Sequence, residues 1–207
     1  DCRDDFTRVK DELLHKYRNL KEHIFMDYKV MQNLSLLLRK DKYKITVTLW
    51  MDKEIISVEP GFNEDIYGVA VDIGTTTIVA ALCDLSSGKV INRASGLNPQ
   101  VIYGEDILSR ISYCSVNENG LENMHNLIIK EINRLIRELA DSINGDISQI
   151  YDVVMVFNTV MHHIALNINP EYLGQSPFTP VTSKGLNIKS RELGINICKG
   201  LYLQSSH

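Results

Sequence analysis

The sequence predicts an α/β protein in two parts, a small α+β region followed by a larger domain built on a mixed sheet. Three observations predict it. Apolar residues up to Leu38 recur every three or four positions, the spacing of helices with one buried face. Two β-branched runs with a charged turn between them follow, at Ile45–Trp50 and Ile55–Val58. Beyond Tyr67, three strand-like runs, one long amphipathic stretch and a further strand-like run succeed one another.

Each element has its own reason. Phe6, Val9, Leu13, Tyr17, Leu20 and Ile24 lie on one helical face, so residues 1–23 read as a helical linker. Val30, Met31, Leu34, Leu37 and Leu38 continue the helical spacing until the basic break Arg39–Lys44, which carries Asp41 within it and reads as a solvated turn. With the two short strands, residues 24–62 form a small α+β domain, and Pro60-Gly61 with Asn63–Asp65 marks its end. From residue 66 to 207 the larger domain begins with strands at Tyr67–Asp72, Ile78–Asp84 and Lys89–Ser95, the last two joined by the Ser86-Ser87-Gly88 turn. These make an antiparallel meander. A loop carries Asn98-Pro99-Gln100 and Tyr103–Asp106. Leu121, Met124, Leu127, Ile128, Ile132, Leu135, Ile136, Leu139 and Ile143 mark one long helix, stopped by Asn144-Gly145, residue types that tolerate a left-handed turn. Tyr151–Phe157 does not alternate and reads as a strand buried on both faces.

Composition excludes several classes. With 207 residues, 44% apolar and 23% charged, the chain is neither disordered, collagenous nor disulfide-rich. A net charge of −4 without a basic stripe argues against nucleic acid as partner. The apolar runs fall far short of the roughly 20 residues of a membrane span, and the charged start Asp1–Asp5 is unlike a signal peptide. No membrane association is expected, and a cytoplasmic location is. Cys2, Cys83, Cys114 and Cys198 are scattered, without a C-x-x-C pair, and read as reduced thiols.

The chemistry concentrates in Val71-Asp-Ile-Gly-Thr-Thr-Thr77, between two strands. Gly74 lets the backbone turn tightly and approach a ligand. Thr75, Thr76 and Thr77 offer amides and hydroxyls to phosphate oxygens. Asp72, at the end of the first strand, is placed to hold Mg²⁺ through water, because Mg²⁺ dehydrates reluctantly. The alternative is a hairpin turn that happens to be rich in threonine. Glu105 and Asp106 fit a second metal shell or a water-orienting base as well as a solvated acidic loop. His162-His163 lacks further spaced ligands, since adjacent helical residues share no face, and His125 reads as a surface residue of the long helix.

The Asp72–Thr77 loop with its hairpin resembles the first phosphate motif of the actin, sugar-kinase and heat-shock chaperone ATPase superfamily. Longer strings are similar to one family within it: Tyr67–Thr77, Leu97-Asn-Pro-Gln100, Tyr103-Gly-Glu-Asp106 with Ser109-Arg-Ile111, and Gly174-Gln-Ser-Pro-Phe-Thr-Pro180. That family is the reductive activators of corrinoid proteins. The match covers most of Tyr67 to Pro180, and residues 24–61 resemble the family's small middle domain more weakly. The resemblance implies a ribonuclease-H-like, actin-like ATPase first lobe, a mixed sheet with an antiparallel meander and packed helices, preceded by a small α+β domain. It implies ATP and Mg²⁺ as cofactors, with energy from ATP driving reduction of cob(II)alamin to cob(I)alamin in a corrinoid protein of a methyl-transfer system. Asp72 would then hold the metal and serve catalysis with Asp106. Gly74, Thr75, Thr76, Thr77, Asn158 and Thr159 would hold the nucleotide. Phe157 stands where the family's Gly-Asn-Thr string has its glycine. A [2Fe–2S] centre is expected only in a domain preceding these residues, the second lobe is expected beyond them, and a homodimer is left open. A small-molecule kinase of the same superfold, or a non-catalytic nucleotide-binding or protein-interaction fragment, are the alternative readings.

Overall fold

The computed structural model describes residues 2–20 and 23–197 with their side chains and residues 202–206 as backbone, so Cys198 lies outside the described residues. The chain forms two compact units, one running to Asp65 and the other comprising residues 66–197 with 202–206.

The first unit opens with α1 (Asp5–Lys16), capped by Asp4, whose Oδ1 accepts from the Thr7 amide at 2.9 Å. The helical spacing continues to Ile24, but the helix ends at Lys16, where Tyr17 adopts an extended backbone. Ile24, next to β1 (Phe25–Met26), still reaches the same core. Helices α2 (Tyr28–Met31) and α3 (Leu34–Lys40) then cover a three-stranded sheet of β1, β2 (Ile45–Trp50) and β3 (Glu54–Pro60), with β3 central. Val9 of α1 shares one apolar core with Ile24, Val30, Leu34, Leu38 and Ile55, so the helix expected as a separate linker is packed into the unit. The Arg39–Asp5 ion pair, at 2.8 Å, ties α3 to α1 at the surface.

The second unit is a mixed sheet of six strands. β4 (Tyr67–Ile73), β5 (Thr77–Asp84) and β6 (Lys89–Leu97) form the expected antiparallel meander, with Ile73 opposite Ile78 and Thr77 opposite Leu97. β7 (Ile150–Phe157) lies parallel to β4 on its other side, with Asp72 beside Val156 and Ile73 beside Phe157. β8 (Asn187–Lys189) and β9 (Tyr202–Ser206), neither of them expected, complete the order β6-β5-β4-β7-β9-β8. Between β6 and β7 come α4 (Ile107–Val116) and the long α5 (Gly120–Asp141), whose Met124, Ile128, Ile132, Leu135, Ile136 and Leu139 are buried. Asn144 and Gly145 both take positive φ after the helix, as their residue types predict. α6 (Thr159–Ala165) follows β7 directly.

Helix α4 follows the expected loop, in residues for which no element was expected. Its start carries a capping box, with the Ser109 amide donating to Asp106 Oδ1 at 2.7 Å. A second correction concerns β7. The side chains of Val153, Met155 and Phe157 are buried in the core beneath α5, but Val154 is only half-buried and Val156 is exposed. Apart from Asp152 the run is apolar, yet only one face of the sheet is covered among the described residues. Ala70, Asp72 and Val79 share the open face by the two-residue alternation of strands.

Asp152 sits on that face with its Oδ1 enclosed and without a hydrogen-bond partner among the described residues, and burial pushes its carboxyl above the usual aspartate range. Between its unfolded value, about 3.9, and the raised native one, the folded chain holds more protons than the unfolded chain. Stability therefore falls as pH rises through that window. Asp152→Asn should raise Tm at pH 7 by a few degrees, and the gain should vanish below pH ~4 in a thermal-melt series.

Candidate functional site

The β4–β5 hairpin carries the candidate phosphate turn. Its residues leave the sheet at Ile73 and re-enter at Thr77, and the Gly74 amide closes the turn by donating to the Thr77 carbonyl at 3.0 Å. A Cβ at Gly74 would lie 2.9 Å from that carbonyl oxygen, closer than side chains tolerate, so the turn requires glycine.

Every other carbonyl of the turn is held from one side. The Gly74 carbonyl accepts from Asn98 Nδ2 at 2.9 Å, the Thr76 carbonyl from the Asn98 amide at 2.8 Å, and the Thr75 carbonyl from an Arg110 guanidinium NH₂. In a trans peptide unit the C=O and the following N–H point in opposite directions. Fixing these three carbonyls therefore directs the amides of Thr75, Thr76 and Thr77 the other way. The amides of Thr75 and Thr76 donate to no protein acceptor among the described residues. Half-buried Thr75 and exposed Thr76 and Thr77 add three hydroxyls. This is a row of donors without anions of its own, chemistry suited to phosphate oxygens.

The scaffold behind the turn is polar and fully buried. Asn98, Gln100 and Arg110 are each 0% exposed. Asn98 Oδ1 accepts from the Gln100 amide at 3.0 Å, and Gln100 Nε2 donates to the Met124 carbonyl of α5 at 2.9 Å. Arg110 also donates to Gln100 Oε1 at 3.1 Å, to the Gly104 carbonyl at 3.0 Å and to Met161 Sδ of α6 at 3.2 Å. Gly104 has to be glycine here, since a Cβ would come within 2.9 Å of the Arg110 amide nitrogen. The strings Leu97–Gln100 and Tyr103–Ile111 thus build the back wall of the turn. Sequence reasoning assigned no role to Asn98, Gln100 or Arg110, polar residue types that are ordinarily found at the surface.

The remaining expected residues are placed as follows. Asp72 is exposed on the open face, two residues before Gly74. Asn158 and Thr159 begin α6, where β7 ends beside β4, so they share an edge of the sheet with the turn. Asn158 Oδ1 caps α6 by accepting from the Met161 amide at 3.0 Å. Asp106 caps α4, and the amide and hydroxyl of Ser109 hold its carboxyl below the usual aspartate range. The Phe157 ring turns into the core, its centroid 5.5 Å from that of His162, and so points to the face opposite Asp72. His162 and His163 are both buried. His163 Nε2 accepts from the Val181 amide at 3.0 Å, so its proton sits on Nδ1, facing the Thr159 carbonyl at 2.7 Å. That bond fastens the Gly174–Pro180 loop to α6. His125, expected at the surface, is half-buried and in contact with the Ala165 carbonyl at 2.9 Å. No cluster of three metal-ligating side chains occurs among the described residues, and no described helix is long and apolar enough to cross a membrane. Cys83 and Cys114 are free thiols, and burial pushes the Cys114 thiol up to about 11.

Comparison with known proteins decides the family. A model of the RACo middle region matches residues 67–205, and a model of the RACo linker region matches residues 1–65. The chain belongs to the RACo family. In the terms of those models the linker takes in the whole first unit and the middle region the second, whereas the sequence reading placed the middle domain at residues 24–62. RACo relatives include the corrinoid activation enzyme RamQ of Eubacterium limosum, 30% identical over 173 residues, which cover 83% of this chain and 29% of RamQ. A solved reductive activator for a corrinoid iron–sulfur protein superposes with a TM-score of 0.86 at 29% identity, over 99% of this chain and 33% of its own. The chain thus spans about a third of the length of these relatives, and its mixed α/β fold is shared with the activator.

The turn's geometry makes a direct prediction. Gly74→Ala should lower unfolding free energy in urea by roughly 1–3 kcal/mol, because the new methyl forces the turn open against the Thr77 carbonyl.

Proposed function

We propose that this RACo-family chain forms the first phosphate-binding wall of an ATP-dependent activator. Acting in the cytoplasm, that activator reduces cob(II)alamin to cob(I)alamin in a corrinoid protein of a methyl-transfer system. The observation that carries this reading is the Gly74–Thr77 turn, whose carbonyls are all engaged within the protein while the amides of Thr75 and Thr76 donate to no acceptor among the described residues. The names of the relatives, a corrinoid activation enzyme and a reductive activator, support the choice of partner.

The residues present fit a nucleotide with its metal. The donor set at Thr75–Thr77 is free of carboxylates, and glycine at position 74 lets the turn close on the Thr77 carbonyl. Asp72 supplies one exposed carboxylate at the strand end, enough for Mg²⁺ that keeps most of its water and takes its other ligands from phosphate. Asn158 and Thr159 would meet the nucleotide from the neighbouring strand. Asp106, ionised at neutral pH and with one oxygen given to the helix cap, would orient water. Bound ATP supplies the free energy for an electron transfer that is uphill on its own. The Phe157 ring, packed in the core, leaves the edge of the sheet clear.

The thiols described here do not fit an iron–sulfur cluster, which needs several thiolates converging on one point. The electron therefore enters from elsewhere in the longer activator or its partner. Homodimerisation would bring two such sites into one assembly.

Asp72→Asn in the full-length protein tests the reading. It should weaken Mg-ATP binding at least tenfold by isothermal titration, while the residual affinity becomes insensitive to EDTA, as loss of one metal ligand predicts. Wild-type affinity and wild-type EDTA sensitivity in a folded variant would remove Asp72 from the site.

A further inference from the structure

Arg110 is a buried cation surrounded by uncharged groups. Its guanidinium contacts the carbonyls of Thr75 and Gly104, the Gln100 amide oxygen and the Met161 thioether, all neutral acceptors. No carboxylate lies within ion-pair distance of it among the described residues. The acid that acts on its charge is Asp106, exposed and committed to its helix cap. Burial of an ion without a counter-charge is strongly unfavourable, and neutral dipoles offset only part of that cost.

The position of the charge suggests what offsets the rest. The Thr75 carbonyl that accepts from Arg110 belongs to the same peptide unit as the Thr76 amide, which points the opposite way. Hydrogen bonds in series polarise one another, so the cation strengthens that amide as a donor. We propose that the polyphosphate bound at the Gly74–Thr77 turn is the counter-ion of Arg110, reached through the Thr75–Thr76 peptide. Position 110 then makes the site favour ligands by the number of negative charges they carry. This rests on the phosphate reading of the turn and deepens it. Arg110 touches no ligand in this account and acts as a positioning and charge-supplying residue.

The test uses the full-length protein, titrated by calorimetry with Mg-ATP, ADP and AMP. Arg110→Gln, which removes the charge, should weaken ATP binding by roughly tenfold or more and AMP binding much less, since the interaction scales with ligand charge. Arg110→Lys keeps a charge but one that titrates, because burial depresses an ammonium pKa. Its ATP affinity should fall between pH 6 and 9.5 relative to wild type, in which position 110 cannot titrate. The ionisable groups on the elements around Arg110 include Asp72, Tyr103, Glu105 and Asp106, Tyr113 and Cys114 of α4, Glu122 and His125 of α5, His162 and His163 of α6, and Glu171 and Tyr172 of the 3₁₀ turn beside α4. All are common to both proteins, so the difference between the two profiles isolates position 110.

A lysine profile parallel to wild type, or equal losses for ATP and AMP in Arg110→Gln, would overturn the proposal. If Arg110→Gln fails to fold by circular dichroism, the lysine profile alone decides. Absence of nucleotide binding to wild type would instead overturn the phosphate reading itself.

Discussion

The second unit depends on one constraint, the planarity of three consecutive peptide units in a turn whose carbonyls are held from behind. Free hairpin turns of threonine would let each amide rotate with its own φ and ψ. Here Asn98 and Arg110 hold the carbonyls of Gly74, Thr75 and Thr76, and planarity then leaves the next amides a single direction. A phosphate site made this way is organised before any ligand arrives. The entropy of ordering the loop is met during folding, so it is not charged against binding.

The elements behind the turn make sense as support for that arrangement. Arg110 comes from α4, Gln100 from the 3₁₀ turn Pro99–Ile102, and together they are fastened to α5 through the Met124 carbonyl and to α6 through Met161. α5 in turn packs its buried face on the meander and β7. The turn is thus tied to the most extensive apolar core of the unit. The parallel pairing of β4 with β7 places Asn158 beside it at the same edge, and strand alternation puts Asp72 on the open face with its carboxylate in solvent. Stability and chemistry are divided between the two faces of one sheet.

Much of this was legible in the sequence because it is local. The meander followed from β-branched runs and a Ser-Ser-Gly turn, α5 from its long 3.6-residue periodicity, and the phosphate turn from Gly74 between strand and threonines. What was not legible depends on pairing across distance. Tyr151–Phe157 is apolar at every position but Asp152, so its sequence tells little of which side chains are covered, and only the placement of α5 leaves Val156 exposed. Helix α4 was hidden because its cap is Asp106 with Ser109 in place of the commoner Ser/Thr and Glu pair. β8 and β9 are short strands whose existence rests on the edge offered by β7. Likewise nothing local marks Arg110 as buried, since a lone arginine on a helix is ordinarily a surface residue. Its role appears only when the Thr75 carbonyl is found opposite it.

The central claim is that the amides of Thr75, Thr76 and Thr77 are the phosphate donors. The most direct measurement is amide NMR of threonine-labelled protein during titration with Mg-ATP. The account predicts downfield amide-proton shifts at these three threonines that saturate together at one affinity, while Thr46 and Thr48 of the first unit stay in place. Saturable binding that leaves the three amides unmoved would contradict it.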